Sequence, residues 1–161
     1  MFEVADRGVL ENDVRLYTLV TLRLAAVDVP QLDFRIPLKE LVDRVEAVSG
    51  QIAGLVDLAP HRRLLAELTG HMDKAYEEAD GASPSSTAWP AVQRAGQAIV
   101  RAGYAERGTF EQDSAFAKPF LPVLAAAEQI PRQPAALTSL QRGANLLRAE
   151  LEKAVAAFAG T

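Results

Sequence analysis

The sequence contains no cysteine and only two histidines, and these scarcities exclude several kinds of site. Without cysteine, the 161 residues can form no disulfide bond, thiol nucleophile or cysteine-ligated metal site. A zinc site needs three or four nitrogen, oxygen or sulfur ligands, commonly at close helical spacing. His61 and His71 stand ten residues apart without such neighbours. We therefore predict that both are exposed polar residues and that the chain holds no metal.

Long apolar runs and strongly basic regions are also missing. No stretch approaches the roughly 20 consecutive apolar residues that cross a bilayer. No positively charged start followed by an apolar core marks a signal peptide. The formal net charge is −4, and the richest basic cluster is His61-Arg62-Arg63. These features predict neither a transmembrane segment nor a nucleic-acid partner.

Residues that could act as nucleophiles are sparse. Ser83, Ser85 and Ser86 lie in a Gly-, Pro- and Ser-rich stretch that lacks a G-x-S-x-G elbow, so we interpret this stretch as a linker. His71 has Lys74 nearby, which leaves open a phosphoacceptor histidine on a helical bundle. We predict no catalytic residue in this chain.

Apolar residues recur at helical spacing in two long seams, and no stretch alternates with the period of a strand. We predict one all-α domain over residues 1–161, an antiparallel bundle of four longer helices plus one or two short helices. The longer helices are predicted at 13–26, 38–58, 87–105 and 134–159. The first seam is Leu38, Leu41, Val45, Val48, Ile52 and Leu55, and the second is Leu137, Leu140, Ala144, Leu147, Leu151, Ala154 and Phe158.

The segment 13–26 is apolar around most of its circumference and leaves only a narrow polar strip through Glu11, Arg15 and Thr18. A helix of this kind must be covered on most sides by other elements. We therefore predict that it is the central helix, capped by Asn12 or Asp13. Tyr17 is predicted to be mostly buried, with its hydroxyl hydrogen-bonded. In the helix 87–105, the small residues Ala95, Gly96 and Gly103 predict close approach by a neighbouring helix.

The N-terminal segment reads Phe2-Glu3-Val4-Ala5-Asp6, followed by Val9-Leu10-x-x-Asp13-x-x-x-Tyr17. This pattern resembles the start of the transferrin-receptor-like dimerisation domain, which reads roughly F-E-L-A-(N/D)-x-x-V-L-P-F-D-Y-x-x-Y. Phe120-Leu-Pro-Val-Leu124 is similar to a family F-P-G-(I/V)-x segment before the last long helix. Two departures are Glu11-Asn12 in place of Pro-Phe and the lack of an alignable Lys-Tyr pair before Phe120. The residues in register are Phe2, Glu3, Ala5, Asp6, Val9, Leu10, Asp13 and Tyr17.

The resemblance implies the C-terminal helical domain of glutamate carboxypeptidase-like zinc peptidases. It implies a non-catalytic domain that supports homodimer assembly, with residues 1–10 leading in from an upstream peptidase domain of the same chain. Zinc would lie in that peptidase domain, and no cofactor or binding residue is carried over to this fragment. A stand-alone adaptor or histidine phosphotransfer module, as an independent small protein, remains the alternative.

Overall fold

The computed structural model describes residues 6–30, 32–52, 54–78, 83–108, 110–113, 118–129 and 135–159. All regular elements in these ranges are helical, which confirms the all-α prediction. No helix among them is long and apolar enough to cross a membrane. The elements are α1 (Arg7–Ala25), α2 (Arg35–Gln51), α3 (Ala59–Glu77), α4 (Trp89–Tyr104), a 3-10 helix (Pro122–Gln129) and α5 (Ala136–Ala156).

The hydrophobic core lies between α2, α3, α4, α5 and the 3-10 helix. α5 packs against α3, α4 and the 3-10 helix, while α2 packs against α3 and α4. Both predicted seams supply this core, and most of their residues are fully buried. Leu55 is an exception because α2 ends at Gln51 and the chain turns at Gly54, where φ is 81°. Leu55 is therefore exposed, and Val56 and Leu58 enter the core after the turn.

Glycines on α4 and α5 admit the segment that carries the 3-10 helix. A Cβ at Gly103 would overlap the ring of Phe120, and a Cβ at Gly143 would overlap the main chain of Val123. Between them, Leu121 adopts a left-handed conformation with φ of 59° and donates its amide to the Gly103 carbonyl at 2.7 Å. The turn places the Leu121 side chain in the core.

Two of the three small residues singled out on α4, Gly96 and Gly103, have an aromatic ring as their nearest neighbour where the prediction expected a helix. At Gly96, the three heavy atoms nearest to an added Cβ all belong to the ring of Phe34, the closest at 2.6 Å. At Gly103 they belong to the ring of Phe120. Both rings come from irregular segments, since Phe34 precedes α2 and Phe120 precedes the 3-10 helix. A flat ring can lie on the bare backbone of a glycine as closely as a helix can.

The prediction that the first helix is central is wrong. α1 begins at Arg7, and its cap is Asp6, whose Oδ1 accepts from the amides of Gly8 at 2.7 Å and Val9 at 3.3 Å. No residue of α1 is buried, and Tyr17 is 72% exposed. The other helices complete a core without α1, so its apolar residues remain at the surface. Tyr76 of α3 has the environment that was predicted for Tyr17.

Candidate functional site

The most prominent surface feature is the exposed apolar face of α1. Single exposed apolar side chains are ordinary, whereas a contiguous patch of several hundred Å² marks an interaction site. On α1 the large apolar side chains are between 44% and 72% exposed along the whole helix. We call these residues the α1 apolar surface: Val9, Leu10, Val14, Leu16, Tyr17, Leu19, Val20, Leu22 and Leu24.

An open apolar groove of about 760 Å³ runs along α4, and we call it the α4 groove. Trp89, Gln93, Gln97, Val100 and Tyr104 line it at intervals of three or four residues, so they share one face of α4. Leu24 near the end of α1 also lines it, as do Pro30, Leu32 and Phe34 of the connection between α1 and α2. From Trp89 to Tyr104 the groove spans roughly 22 Å at about 1.5 Å per residue. Its lining is mostly apolar, and its polar side chains are Gln93, Gln97, Arg101 and Asp113.

A group of contacts around Tyr76 fixes the chain where it leaves this connection. The Tyr76 hydroxyl donates to the Leu32 carbonyl at 2.5 Å and accepts from the Phe34 amide at 3.1 Å. The guanidinium of Arg35 lies 4.3 Å from the centre of the Tyr76 ring and forms a two-bond fork with Asp33. We call this group the Tyr76 anchor.

Asp33 and Tyr76 are two of the ionisable groups of the Tyr76 anchor whose pKa values are shifted. Hydrogen bonds from Arg35 hold the pKa of Asp33 below its usual value. Burial raises the pKa of the Tyr76 phenol. Both shifts favour the neutral pH form of the anchor, with a charged Asp33 and a protonated Tyr76. The chain from Leu32 to Arg35 is therefore held against α3 at neutral pH.

The two histidines occupy different environments, and the prediction of exposure is wrong for His61. His61 is 4% exposed, and its Nε2 lies 2.7 Å from the Ala144 carbonyl oxygen. Because a carbonyl only accepts, Nε2 carries the proton and joins α3 to α5. His71 is partly exposed and stacks on Phe158, with ring centroids 5.0 Å apart. In the described part of the chain, no three His, Cys, Asp or Glu residues gather into a group that could hold a metal.

The loop serines have a structural role where the contacts are clear. The Oγ of Ser85 accepts from the Ala88 amide at 3.2 Å and lies 3.1 Å from the Thr87 hydroxyl. Its own amide donates to the Ala75 carbonyl at 3.2 Å. Ser85 therefore ties the start of α4 to the end of α3, which agrees with the interpretation of this stretch as a linker.

The structure places the described part of the N-terminal family motif on one exposed helix. Asp6 caps α1, and Val9, Leu10, Asp13 and Tyr17 follow along it without any contribution to the core. Phe2, Glu3 and Ala5 lie outside the described residues. The sequence analysis missed the α4 groove, although the spacing of Val100 and Tyr104 separates them from the core face of α4.

Comparison of the chain with protein-family models, with curated proteins and with solved structures finds no match. The α1 apolar surface and the α4 groove are therefore the observations from which a function can be inferred. Both are apolar, both are exposed, and Leu24 belongs to each of them.

Proposed function

We propose that this chain is a non-catalytic homodimerisation domain and that α1 supplies the main contact between the two copies. The α1 apolar surface is the observation that carries the proposal. Fully burying a large apolar side chain contributes about 1.5–3 kcal/mol, so the half-exposed residues of α1 offer roughly 1 kcal/mol each to a partner that covers them. This gain is realised when a second copy covers α1.

The stability of α1 itself supports the same proposal. Most helical stability in proteins comes from packing of an apolar face, and isolated helices are marginal in water. α1 has 19 residues, none of them buried. One cap at Asp6 and one ion pair between Glu11 and Arg15, at 2.6 Å, are its local supports. Such an exposed pair contributes below about 1 kcal/mol, so α1 gains substantially from a partner surface.

The resemblance of the N-terminal segment gives the proposal its wider setting. A dimerisation domain of a glutamate carboxypeptidase-like zinc peptidase would assemble a longer chain whose peptidase domain carries the zinc and the chemistry. The peptidase domain would then be a second partner of this domain.

A histidine phosphotransfer module has no specific observation in its favour. Phosphotransfer requires a histidine nitrogen that a partner protein can reach. The ring of His71 stacks on Phe158, and its Nε2 lies 3.9 Å from the carboxylate of Glu67. The ring is therefore already engaged on one face and beside an acidic group.

The proposal is tested by placing a charge on α1 and measuring mass by light scattering. We expect the unaltered chain at micromolar concentration to have about twice its mass of 17.3 kDa. Leu16→Glu should reduce the mass to that of one chain, since a two-fold interface receives the charge twice. Ile36→Glu is the matched control because Ile36 of α2 is 70% exposed and lies outside both surfaces. A single-chain mass for all three proteins would overturn the proposal.

A further inference from the structure

We propose that a cavity beside the 3-10 helix binds the phosphate group of a small organic phosphate ester. The cavity has a volume of about 530 Å³ and lies between the 3-10 helix, α5 and the segment that follows α4. Volumes of about 300–1,000 Å³ are typical of small-molecule sites. We call it the basic cavity. The described residues that line it belong neither to α1 nor to the α4 groove, so this proposal is independent of the proposed homodimerisation.

The basic cavity carries an excess of positive charge in a chain that is negative overall. Arg107, Lys118 and Arg142 line it, and Glu106 is the one carboxylate among its described lining residues. Three positive charges and one negative charge leave these side chains a formal charge of +2, whereas the whole chain carries −4. A phosphate monoester carries about −1.5 to −2 at pH 7. The charges of the cavity and of such a ligand are therefore complementary.

The protein itself does not neutralise the two arginines of the cavity. Most Lys and Arg side chains in the described part of the chain pair with a carboxylate, but Arg107 and Arg142 have no ion pair there. The Oε1 of Glu106 lies 3.3 Å from the Nζ of Lys118. The Oε2 of Glu106 is buried and has no hydrogen-bond partner among the described residues, so neither arginine uses it. Both guanidinium groups are therefore available to an anion.

Main-chain contacts hold Arg107 in place and leave its side chain to a ligand. The Oδ1 of Asp113 accepts from the amide of Glu106 at 3.0 Å and from that of Arg107 at 2.9 Å. The Nη2 of Arg101 donates to the Arg107 carbonyl at 3.3 Å. A backbone that is fixed before binding loses less conformational entropy when the ligand arrives, which favours affinity.

The helix α5 forms a second wall of the basic cavity. Ser139, Arg142 and Leu146 line the cavity at spacings of three and four residues, so they share one face of α5. Beside them, a Cβ added at Gly143 would overlap the main chain of Val123, so this glycine brings the 3-10 helix close to α5. Arg142 is therefore carried by a regular helix next to a close packing contact.

The lining favours an organic phosphate over a free inorganic anion. Guanidinium groups match phosphate oxygens through paired N–H donors, and the Ser139 hydroxyl can donate a further hydrogen bond. The remaining lining is largely apolar: Pro122, Val123, Ala125, Ala126 and Leu146. Hydrocarbon gains free energy by covering such a wall, and a free phosphate ion does not. A phosphate ester satisfies both parts of the lining.

A titration with phenyl phosphate, followed by two-dimensional amide NMR spectra of the labelled chain, tests the proposal. We expect saturable shifts at the amides of Arg107, Val123 and Arg142, with a dissociation constant in the millimolar range or below. Inorganic phosphate lacks the apolar ring, and benzoate carries a single negative charge, so both should bind several-fold more weakly. Added sodium chloride should weaken the binding because it screens the charges.

Matched arginine variants locate the site. Arg107→Gln and Arg142→Gln each remove one positive charge from an exposed side chain of the cavity. We expect each to weaken phenyl phosphate binding by about tenfold or more, as is usual for lost hydrogen bonds to charged groups. Arg63→Gln is the control, because it removes the same charge from an exposed arginine of α3 outside the cavity. It should leave the affinity unchanged.

Glu106→Gln separates a loss of charge complementarity from a loss of structure. This change removes the carboxylate that repels phosphate and releases Lys118, so we expect phenyl phosphate to bind several-fold more tightly. A variant that only damaged the fold would bind more weakly. Absence of saturable shifts, shifts confined to other parts of the chain, or an Arg142→Gln affinity equal to that of Arg63→Gln would overturn the proposal. Equal affinities for inorganic phosphate and phenyl phosphate would overturn the assignment to an organic ester.

Discussion

The hydroxyl of Tyr76 donates a hydrogen bond to the carbonyl oxygen of Leu32 at 2.5 Å. The same hydroxyl accepts a hydrogen bond from the amide of Phe34 at 3.1 Å. Tyr76 is fully buried, so these bonds fasten the connection before α2 to the core of the bundle. A side chain of α3 therefore fixes the segment 32–34, which lies between α1 and α2.

Tyr76→Phe tests this attachment. Removing the hydroxyl leaves a partly buried carbonyl and amide without their partner, which costs about 1–3 kcal/mol. We expect the free energy of unfolding to fall by that amount in urea denaturation at one fixed protein concentration. Tyr104→Phe is the control, because Tyr104 is 63% exposed. Equal free energies of unfolding for the two variants would show that the hydrogen bonds of the Tyr76 hydroxyl contribute no net stability.

Gly143 permits the 3-10 helix to lie against α5, and Gly143→Ala tests this contact. The atoms nearest to an added Cβ are the carbonyl oxygen and carbon of Val123, which are main-chain atoms and cannot rotate away. We expect a loss of about 1–3 kcal/mol, as in other overpacked cores. Gly70→Ala in α3 is the control, since nothing lies within 4 Å of its added Cβ. That change should stabilise the chain by about 0.5–1 kcal/mol. A stabilising Gly143→Ala would contradict the packing described.

Asp33 makes a contribution to the free energy of unfolding that depends on pH, and the direction of its pKa shift determines the sign of that dependence. Its pKa is lowered from 3.8 in the folded chain by hydrogen bonds from Arg35. A lowered pKa contributes stability that is fully present above pH 3.8 and is lost as the pH falls through the folded pKa. We expect Asp33→Asn to cost below about 1 kcal/mol at pH 7. The difference between the variant and the unaltered chain should shrink towards pH 2. Denaturation at several pH values measures this difference in stability. A difference that grows on acidification would contradict a lowered pKa for Asp33.

The seams of α2 and α5 could be predicted from the sequence because spacing of three and four residues decides which face is apolar. Leu41, Val45, Leu140 and Leu147 are buried as their positions in the seams require. The early end of α2 was missed because the left-handed turn at Gly54 depends on where Val56 and Leu58 find room in the core. Periodicity therefore predicted the packed face but not the end of the helix.

The place of α1 could not be predicted by the same method. A helix that is apolar all round must be covered, but its sequence does not state whether its own chain or another chain covers it. Tyr17 is exposed because α2 to α5 close a core without it. His61 was also missed, since its burial depends on the Ala144 carbonyl, 83 residues away in the sequence. Such long-range partners leave no local signal.

Sedimentation equilibrium of the unaltered chain tests the central claim most directly. The claim is that the α1 apolar surface is an interface between two copies. We expect the mass to rise from 17.3 kDa towards twice that value as the concentration increases from nanomolar to high micromolar. A mass that remains that of one chain throughout this range would contradict the claim.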